Sequence, residues 1–273
     1  MKTGFVGGGH MGRALIAALR RSGVDAQTLF VAEPNDDLRA ALAADFGIHT
    51  TSDAKEFAGE IDCLVLAVKP QDMAAVIAPL RPQLERSQPI VISVAAGLST
   101  SQLQRWCGPQ ARIVRAMPNR PASLGAGATG LYADKSVSST DRERAERVLS
   151  AAGMTVWVND EGLMDVVTAL SGSGPAYFFR LAEALTDAAV RHGLDRDAAS
   201  KLAAATLHGA GLMAGTDQSM ARLRESVTSK GGTTAAALDS FTEANLDHIV
   251  ESAVAAAIER GRTLSQQQDN TGG

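Results

Sequence analysis

The 273-residue chain is 45% hydrophobic and 21% charged, a balance that excludes wholesale disorder and allows one large core or two medium ones. Its formal net charge of -4, with no basic stripe, excludes a nucleic-acid binder that works by releasing counterions from phosphates. No apolar run approaches the roughly 20 residues that span a bilayer, and Cys63 and Cys107 lack a CxxC partner, which fits a reducing cytoplasm and no structural zinc or other metal.

The opening MKTGFVGGGHMG lacks the features of a signal peptide and reads as a first strand over residues 3–6. Further strands are expected at residues 29–32, 63–68, 90–95 and 113–116, with helices between them at 11–21, 36–46 and 72–84. This alternation predicts βαβ units, hence an α/β fold with a mainly parallel, doubly wound sheet of Rossmann type covered by helices on both faces. Apolar runs at 126–132 and 155–158 flank a polar helix at 140–152 and finish the sheet.

Beyond about residue 160 the strand pattern stops, and Ala, Leu and Met recur at helical spacing over 163–170, 175–192, 196–214, 233–244 and 246–264. The expected division is residues 1–160 for the dinucleotide-binding domain and 161–273 for an all-helical one. Helices this apolar need a partner surface, because packing rather than propensity supplies most helical stability. A second copy of the chain is the economical partner; packing on the first domain is the alternative. The terminal SQQQDNTGG is expected to be a frayed tail.

Gly7-Gly8-Gly9-His10-Met11-Gly12 matches G-x-G-x-x-G between a strand and a helix, the context that a dinucleotide fingerprint requires. Gly7 permits the tight turn, Gly9 the approach of a pyrophosphate, and Gly12 close packing of helix on strand. Glu33 ends the second strand, where an acidic residue meets the ribose 2′-hydroxyl of NAD, while Asn35 and Arg39 stand within reach of a 2′-phosphate. The cofactor is therefore NAD(H) or NADP(H). His10 has no partners for metal or acid–base work, so its backbone rather than its ring is the expected contributor. Lys69, before Pro70 at the end of the 63–68 strand, is placed to steer the cofactor or an anionic substrate, a solvated lysine in a turn being the plain alternative. Val94, Ala95 and Ala96 end the next strand with small residues that let a nicotinamide lie close.

Two loops of small residues interrupt the helical half: Leu170-Ser171-Gly172-Ser173-Gly174-Pro175-Ala176-Tyr177 and, from Val227, TSKGGTTAAAL. Glycine costs about 1 kcal/mol inside a helix, so paired glycines between helices mark a special backbone shape. The second loop sets N–H groups and hydroxyls at a helix start, an anion cradle sized for a carboxylate. An ordinary helix connection is the plain alternative.

Together with Phe5-Val6-Gly7, Ala67-Val68-Lys69-Pro70, Ala95-Ala96-Gly97 and Met117-Pro118-Asn119, these loops resemble pyrroline-5-carboxylate reductase, and the resemblance runs to about Leu264. It implies a Rossmann domain joined to a helical domain that interlocks with a partner subunit, in homodimers often assembled into decamers. It also implies reduction of Δ1-pyrroline-5-carboxylate to L-proline with NADPH or NADH. Carried over by motif, Val6, Gly7, Gly8, Gly9, His10, Met11, Ala67, Val68, Lys69 and Pro70 contact the cofactor, with Val94, Ala95 and Ala96 near the nicotinamide. Val227, Ser229, Gly231, Gly232, Thr233 and Thr234 bind the substrate carboxylate, Thr234 lying closest to the imine nitrogen. That loop is expected to complete the partner's site. The chain departs from the family pattern at Lys230, where Pro is usual, at Arg120 and at Ala54.

Imine reduction needs a hydride donor, a protonated imine and a fixed ring, which accounts for a chain without a Ser-His-Asp set or a carboxylate pair. The nearest enzyme rivals are a β-hydroxyacid dehydrogenase and an imine reductase; the former uses a Lys in the helix after the glycine-rich loop, and residues 175–192 contain none. A non-catalytic nucleotide-sensing protein is the rival from another class.

Overall fold

The structure is a computed structural model that describes residues 1–271, with side chains through residue 267. The chain falls into two compact units: Met1–Gly172 together with residues from Ala257 onward, and Ser173–Ala256.

The first unit contains one eight-stranded sheet. Its strands are β1 (Thr3–Val6), β2 (Leu29–Ala32), β3 (His49–Thr51), β4 (Cys63–Leu66), β5 (Ile90–Ser93), β6 (Arg112–Met117), β7 (Gly127–Ala133) and β8 (Gly153–Trp157). They lie in the order β3-β2-β1-β4-β5-β6-β7-β8. Every neighbouring pair is parallel except β6 and β7, whose link over residues 118–126 is too short for a parallel crossover. Val6 lies opposite both Ala32 of β2 and Leu66 of β4, so the winding reverses on either side of β1. Doubly wound sheets bind ligands at that switch point, outside the carboxyl ends of the strands.

The helices of this unit include α1 (His10–Arg21), α2 (Asp36–Phe46), α3 (Met73–Ile77), α4 (Arg81–Ser87), α5 (Thr100–Cys107), α6 (Ser139–Ser150) and α7 (Leu163–Val167). Successive strand residues face opposite ways, so each face of the sheet has its own core. Phe5, Val31, Val65 and Ile92 pack with Leu15 and Ile16 of α1 and Val148 and Leu149 of α6. Val6, Ala32, Leu64 and Leu66 pack with Met73 and Ile77 of α3, Leu84 of α4 and Leu103 of α5.

Several elements differ from expectation for local reasons. The helix expected over 72–84 is two, because Pro79 sits between α3 and α4 and has no N–H to continue the ladder. The unanticipated α5 begins at a capping box in which Ser99 Oγ accepts from Gln102 N and Gln102 Oε1 accepts from Ser99 N. The helix expected over 163–170 ends as α7 and passes into a wider π-helical turn, Thr168–Gly172.

The second unit holds α8 (Gly174–Arg191), α9 (Arg196–Ala214), α10 (Met220–Ser226), α11 (Thr233–Glu243) and the start of α12 (Leu246–Thr271). α12 continues through residues 265–271, where a frayed tail was expected; Gly272 and Gly273 lie outside the described residues. Of the residues on α8 and α9, Gly174, Thr186 and Ala199 are buried. Phe178 and Phe179 remain 58% and 60% exposed. An open groove of about 720 Å³ runs between α8 and α9, with Phe179, Ala182, Ala203 and Leu207 on its walls. No helix among the described residues is long and apolar enough to cross a membrane.

Candidate active site

The carboxyl edge of the sheet brings four sequence-distant turns into one row. Gly7 N donates to Ala32 O (2.9 Å), Ala67 N to Val6 O (2.8 Å) and Val94 N to Leu66 O (3.1 Å). The residues that follow β1, β2, β4 and β5 are thereby locked side by side: Gly7, Glu33, Ala67 and Val94. Val6, Gly8, Gly9, His10, Met11, Val68, Lys69, Pro70, Ala95 and Ala96 share this edge by sequence adjacency.

The glycine turn is shaped by space. Gly7 has φ +98°, and a Cβ there would stand 2.7 Å from the Ala67 carbonyl oxygen. A Cβ on Gly12 would overlap the Gly7 carbonyl oxygen, so the first turn of α1 rests directly on the loop. Gly9 differs: a Cβ would meet nothing within 4 Å, so this part of the loop faces open space beside the α1 N-terminus. Free amides and the positive helix end there suit a pyrophosphate. Beside the turn lies a cleft of about 500 Å³, between Val6, Gly7, Ala32 and Pro34 on one side and Val68, Val76 and Leu80 on the other. Its apolar walls suit an adenosine, and the charged residues lining it are Asp53 and Asp72. These features fit a dinucleotide.

Glu33, 7% exposed, turns its carboxylate toward the glycine loop. Its Oε2 accepts from Gly8 N and its Oε1 from Asn35 N, each at 2.9 Å. Asn35 Oδ1 accepts from Leu38 N (2.9 Å) as the cap of α2. Lys69 and His10 are exposed, His10 at the first position of α1. Arg120 is an exposed residue opening the 3-10 turn Arg120–Leu124, and Ala54 is buried in a second 3-10 turn, Ala54–Glu56.

Two polar clusters beneath this edge escaped sequence reasoning. Glu161 Oε1 accepts from Thr100 N (2.7 Å) and pairs with Arg115 Nη1 (2.8 Å), and its Oε2 accepts from Thr100 Oγ1 (2.8 Å). The carboxylate thus secures the start of α5, the helix that follows the Val94–Ala95–Ala96 turn. Asn119, 8% exposed, donates Nδ2 to Ser171 O (3.0 Å) and accepts from Ala128 N at Oδ1 (2.9 Å). It ties the π-helical turn to β7. The Met117-Pro118-Asn119 motif was its signal in the sequence; the partners of Glu161 left none.

The thiols of Cys63 and Cys107 are inert by environment. Burial pushes the Cys63 thiol far above its ordinary value and that of Cys107 up to about 12. Among the described residues, no group of three or more His, Cys, Asp and Glu side chains is placed to hold a metal ion.

In the second unit, residues 227–234 form a set of their own. Gly232 N donates to Ser229 O (3.0 Å), closing a turn with Gly231 at φ +69°. A Cβ on Gly232 would overlap Ser229 Oγ and force that side chain to turn away, while the left-handed φ of Gly231 favours glycine there. The turn delivers the chain into α11 with Gly232 as N-cap, and the first helical bond donor is Ala236 N, to Gly232 O (3.2 Å). The amides of Thr233, Thr234 and Ala235 consequently lie ahead of the helical ladder. Thr234 is half-buried beside them, and Val227, Ser229 and Lys230 are exposed.

Comparison with known proteins agrees with both halves. Residues 161–264 match the family model for pyrroline-5-carboxylate reductase dimerisation, and residues 2–97 match that for NADP oxidoreductase, coenzyme F420-dependent. A pyrroline-5-carboxylate reductase of Pseudomonas aeruginosa is 43% identical over 267 residues, covering 97% of each chain. The structure of such a reductase from Coxiella burnetii superposes with a TM-score of 0.93 at 39% identity, covering 96% of this chain and 98% of that one. A Plasmodium falciparum pyrroline carboxylate reductase with NADP bound gives 0.81 at 31% identity, covering 97% and 98%. Likeness of this degree over essentially the whole length, on a sheet edge shaped for a dinucleotide, places the chain in the pyrroline-5-carboxylate reductase family.

Proposed function

We propose that this protein reduces Δ1-pyrroline-5-carboxylate to L-proline with NAD(P)H, holding the dinucleotide at the carboxyl edge of its sheet and the substrate carboxylate at the start of α11. The observation that carries this reading is that one chain builds two glycine-shaped helix N-termini with unspent backbone amides, at α1 and at α11. End-to-end alignment with reductases of that name supports it. Val6, Gly7, Gly8, Gly9, His10, Met11, Ala67, Val68 and Pro70 line the dinucleotide, Glu33 and Asn35 shape its ribose end, and Val94, Ala95 and Ala96 leave room for the nicotinamide. Lys69 adds a positive charge at that edge for the dinucleotide or the substrate carboxylate.

The dinucleotide, when bound, supplies the hydride that reaches the imine carbon; the ring nitrogen takes a proton. The chain's own residues provide position and a path for that proton from water. Val227, Ser229, Gly231 and Gly232 shape the loop, and the amides of Thr233, Thr234 and Ala235 grip the substrate carboxylate. Hydrogen bonds to a charged group contribute about 1.5–3 kcal/mol each, enough to hold the ring in one orientation. Thr234 Oγ1 hydrogen-bonds the ring nitrogen and passes its proton from water. Residues 1–160 serve the dinucleotide; residues 161–273 serve the substrate and a homodimer in which one subunit's loop completes the partner's site. The dimers assemble into a decamer in the cytoplasm, a reducing compartment consistent with two buried free thiols.

The direct test follows oxidation of NADH and of NADPH with Δ1-pyrroline-5-carboxylate as acceptor and L-proline as product. Absence of acceptor-dependent oxidation with both would overturn the reading. Thr234→Ala is expected to lower turnover by about 10²-fold while leaving dinucleotide affinity unchanged; full turnover in that variant removes Thr234 from the mechanism.

A further inference from the structure

We propose that the β2–α2 turn makes this protein select NADH over NADPH, because Arg39, the one basic residue of the segment 33–39, is already engaged by Asp36 and by the backbone. The inference rests on the dinucleotide site proposed above. In a doubly wound sheet the adenosine ribose sits just past the second strand, here at Glu33-Pro34-Asn35-Asp36-Asp37-Leu38-Arg39. NADPH differs from NADH by a phosphate on that ribose, which carries nearly two negative charges at neutral pH. A site that accepts it must supply cationic or strong hydrogen-bond donors.

This turn supplies mostly the opposite. Arg39 Nη2 pairs with Asp36 Oδ1 (2.6 Å), and Nη1 donates to Glu33 O (2.9 Å) and Pro34 O (3.4 Å). Its guanidinium therefore closes the turn on itself. Asp36 and Asp37 occupy the first turn of α2, where an incoming anion would otherwise find the positive helix end. Asn35 spends its Oδ1 on capping and retains one neutral donor, Nδ2. The adjoining cleft adds Asp53 and Asp72 and no cation. Glu33 has a separate duty: with an oxygen on each of Gly8 N and Asn35 N, it fixes the glycine loop and acts on any dinucleotide as a positioning residue.

Three variants separate these roles, and dissociation constants for NADH and NADPH, read by nucleotide fluorescence without substrate, report on them. The wild type is expected to bind NADH about tenfold more tightly than NADPH. Asp36→Ser releases Arg39 and is expected to tighten NADPH by at least about fivefold with NADH unchanged. Glu33→Gln loosens the loop and is expected to weaken both nucleotides by a similar factor. Equal or tighter wild-type binding of NADPH overturns the proposal, as does an Asp36→Ser variant with unchanged NADPH affinity. Selective weakening of NADPH by Arg39→Ala would overturn it too, by showing that the guanidinium already serves the phosphate. Failure to bind either nucleotide removes this inference and the dinucleotide reaction together. Tight NADH binding without acceptor-dependent oxidation removes the reaction and leaves the preference standing.

Discussion

The two units of this chain solve the problem of burying apolar surface in different ways. The sheet unit sandwiches its strands between two helical layers, and Phe5, Leu15, Leu64 and Leu66 are fully buried within it. The helical unit leaves Leu181, Leu185 and Leu202 about half exposed or more, on helices whose packing within the unit buries few residues. Fully burying one such side chain is worth about 1.5–3 kcal/mol, so a helical unit of this kind draws its stability from whatever covers it. Its match to the dimerisation model names a second copy as that cover. Each unit completes itself at a different level: the sheet within one chain, the helices within the oligomer.

Charging the uncovered face is expected to have the largest effect. Leu181→Asp with Leu185→Asp, one turn apart on α8, is expected to convert the oligomer to monomer and abolish reduction, as measured by sedimentation and by turnover. The sheet unit should survive, and its thiols report this. A thiol whose folded value is raised contributes stability that is full below the ordinary value of 9.0 and lost as pH rises through the folded value, about 12 for Cys107. At pH 8, Cys63 and Cys107 should therefore stay unreactive toward a thiol reagent in the monomeric variant. Rapid labelling there would mean that the sheet also depends on the oligomer.

Gly12→Ala acts on the sheet unit instead. Its methyl group overlaps the Gly7 carbonyl oxygen, and the α1–loop contact must open at a cost of about 3 kcal/mol. Dinucleotide binding should be lost while the oligomer persists; retained nucleotide affinity would show that the close approach is dispensable. Asn119→Ala should cost about 1–3 kcal/mol, because it leaves Ser171 O and Ala128 N without their partner. That corresponds to roughly 2–4 °C of melting temperature per kcal/mol. An equally stable variant would mean that the π-helical turn holds itself. The smallest effect is expected from Lys230→Pro. Lys230 stands second in the Ser229–Lys230–Gly231–Gly232 turn, where proline's fixed φ is favoured, and the gain is about 0.4–1 kcal/mol, seen as a higher melting temperature.

The site was legible where backbone shape dictates residue type. Gly7 at positive φ and Gly12 against a carbonyl oxygen can be nothing but glycine, so their spacing after a strand carries the fold with it. Gly231, at positive φ before α11, is favoured on the same ground. Illegible parts depend on partners far along the chain. Glu161 and Arg115 are 46 residues apart, and Asn119 and Ser171 are 52 apart. Neither spacing has a local signature, although the Ser99–Gln102 capping box that begins α5 could have been read. The three-residue β3 is too short to show a period, and it exists because β2 offers it an edge.

Local chemistry along the chain was enough to determine the glycine-shaped helix starts, the alternation that demands a two-faced sheet, and the change to apolar helices past residue 160. Only the folded arrangement decided that Glu33 holds the glycine loop, that Arg39 is tied back to Asp36, and that the faces of α8 and α9 stay uncovered within one chain. The physical reason is range. Steric and propensity rules act over a few residues and are written in sequence, whereas a carboxylate's partner is whichever donor the assembled sheet edge brings within about 3 Å.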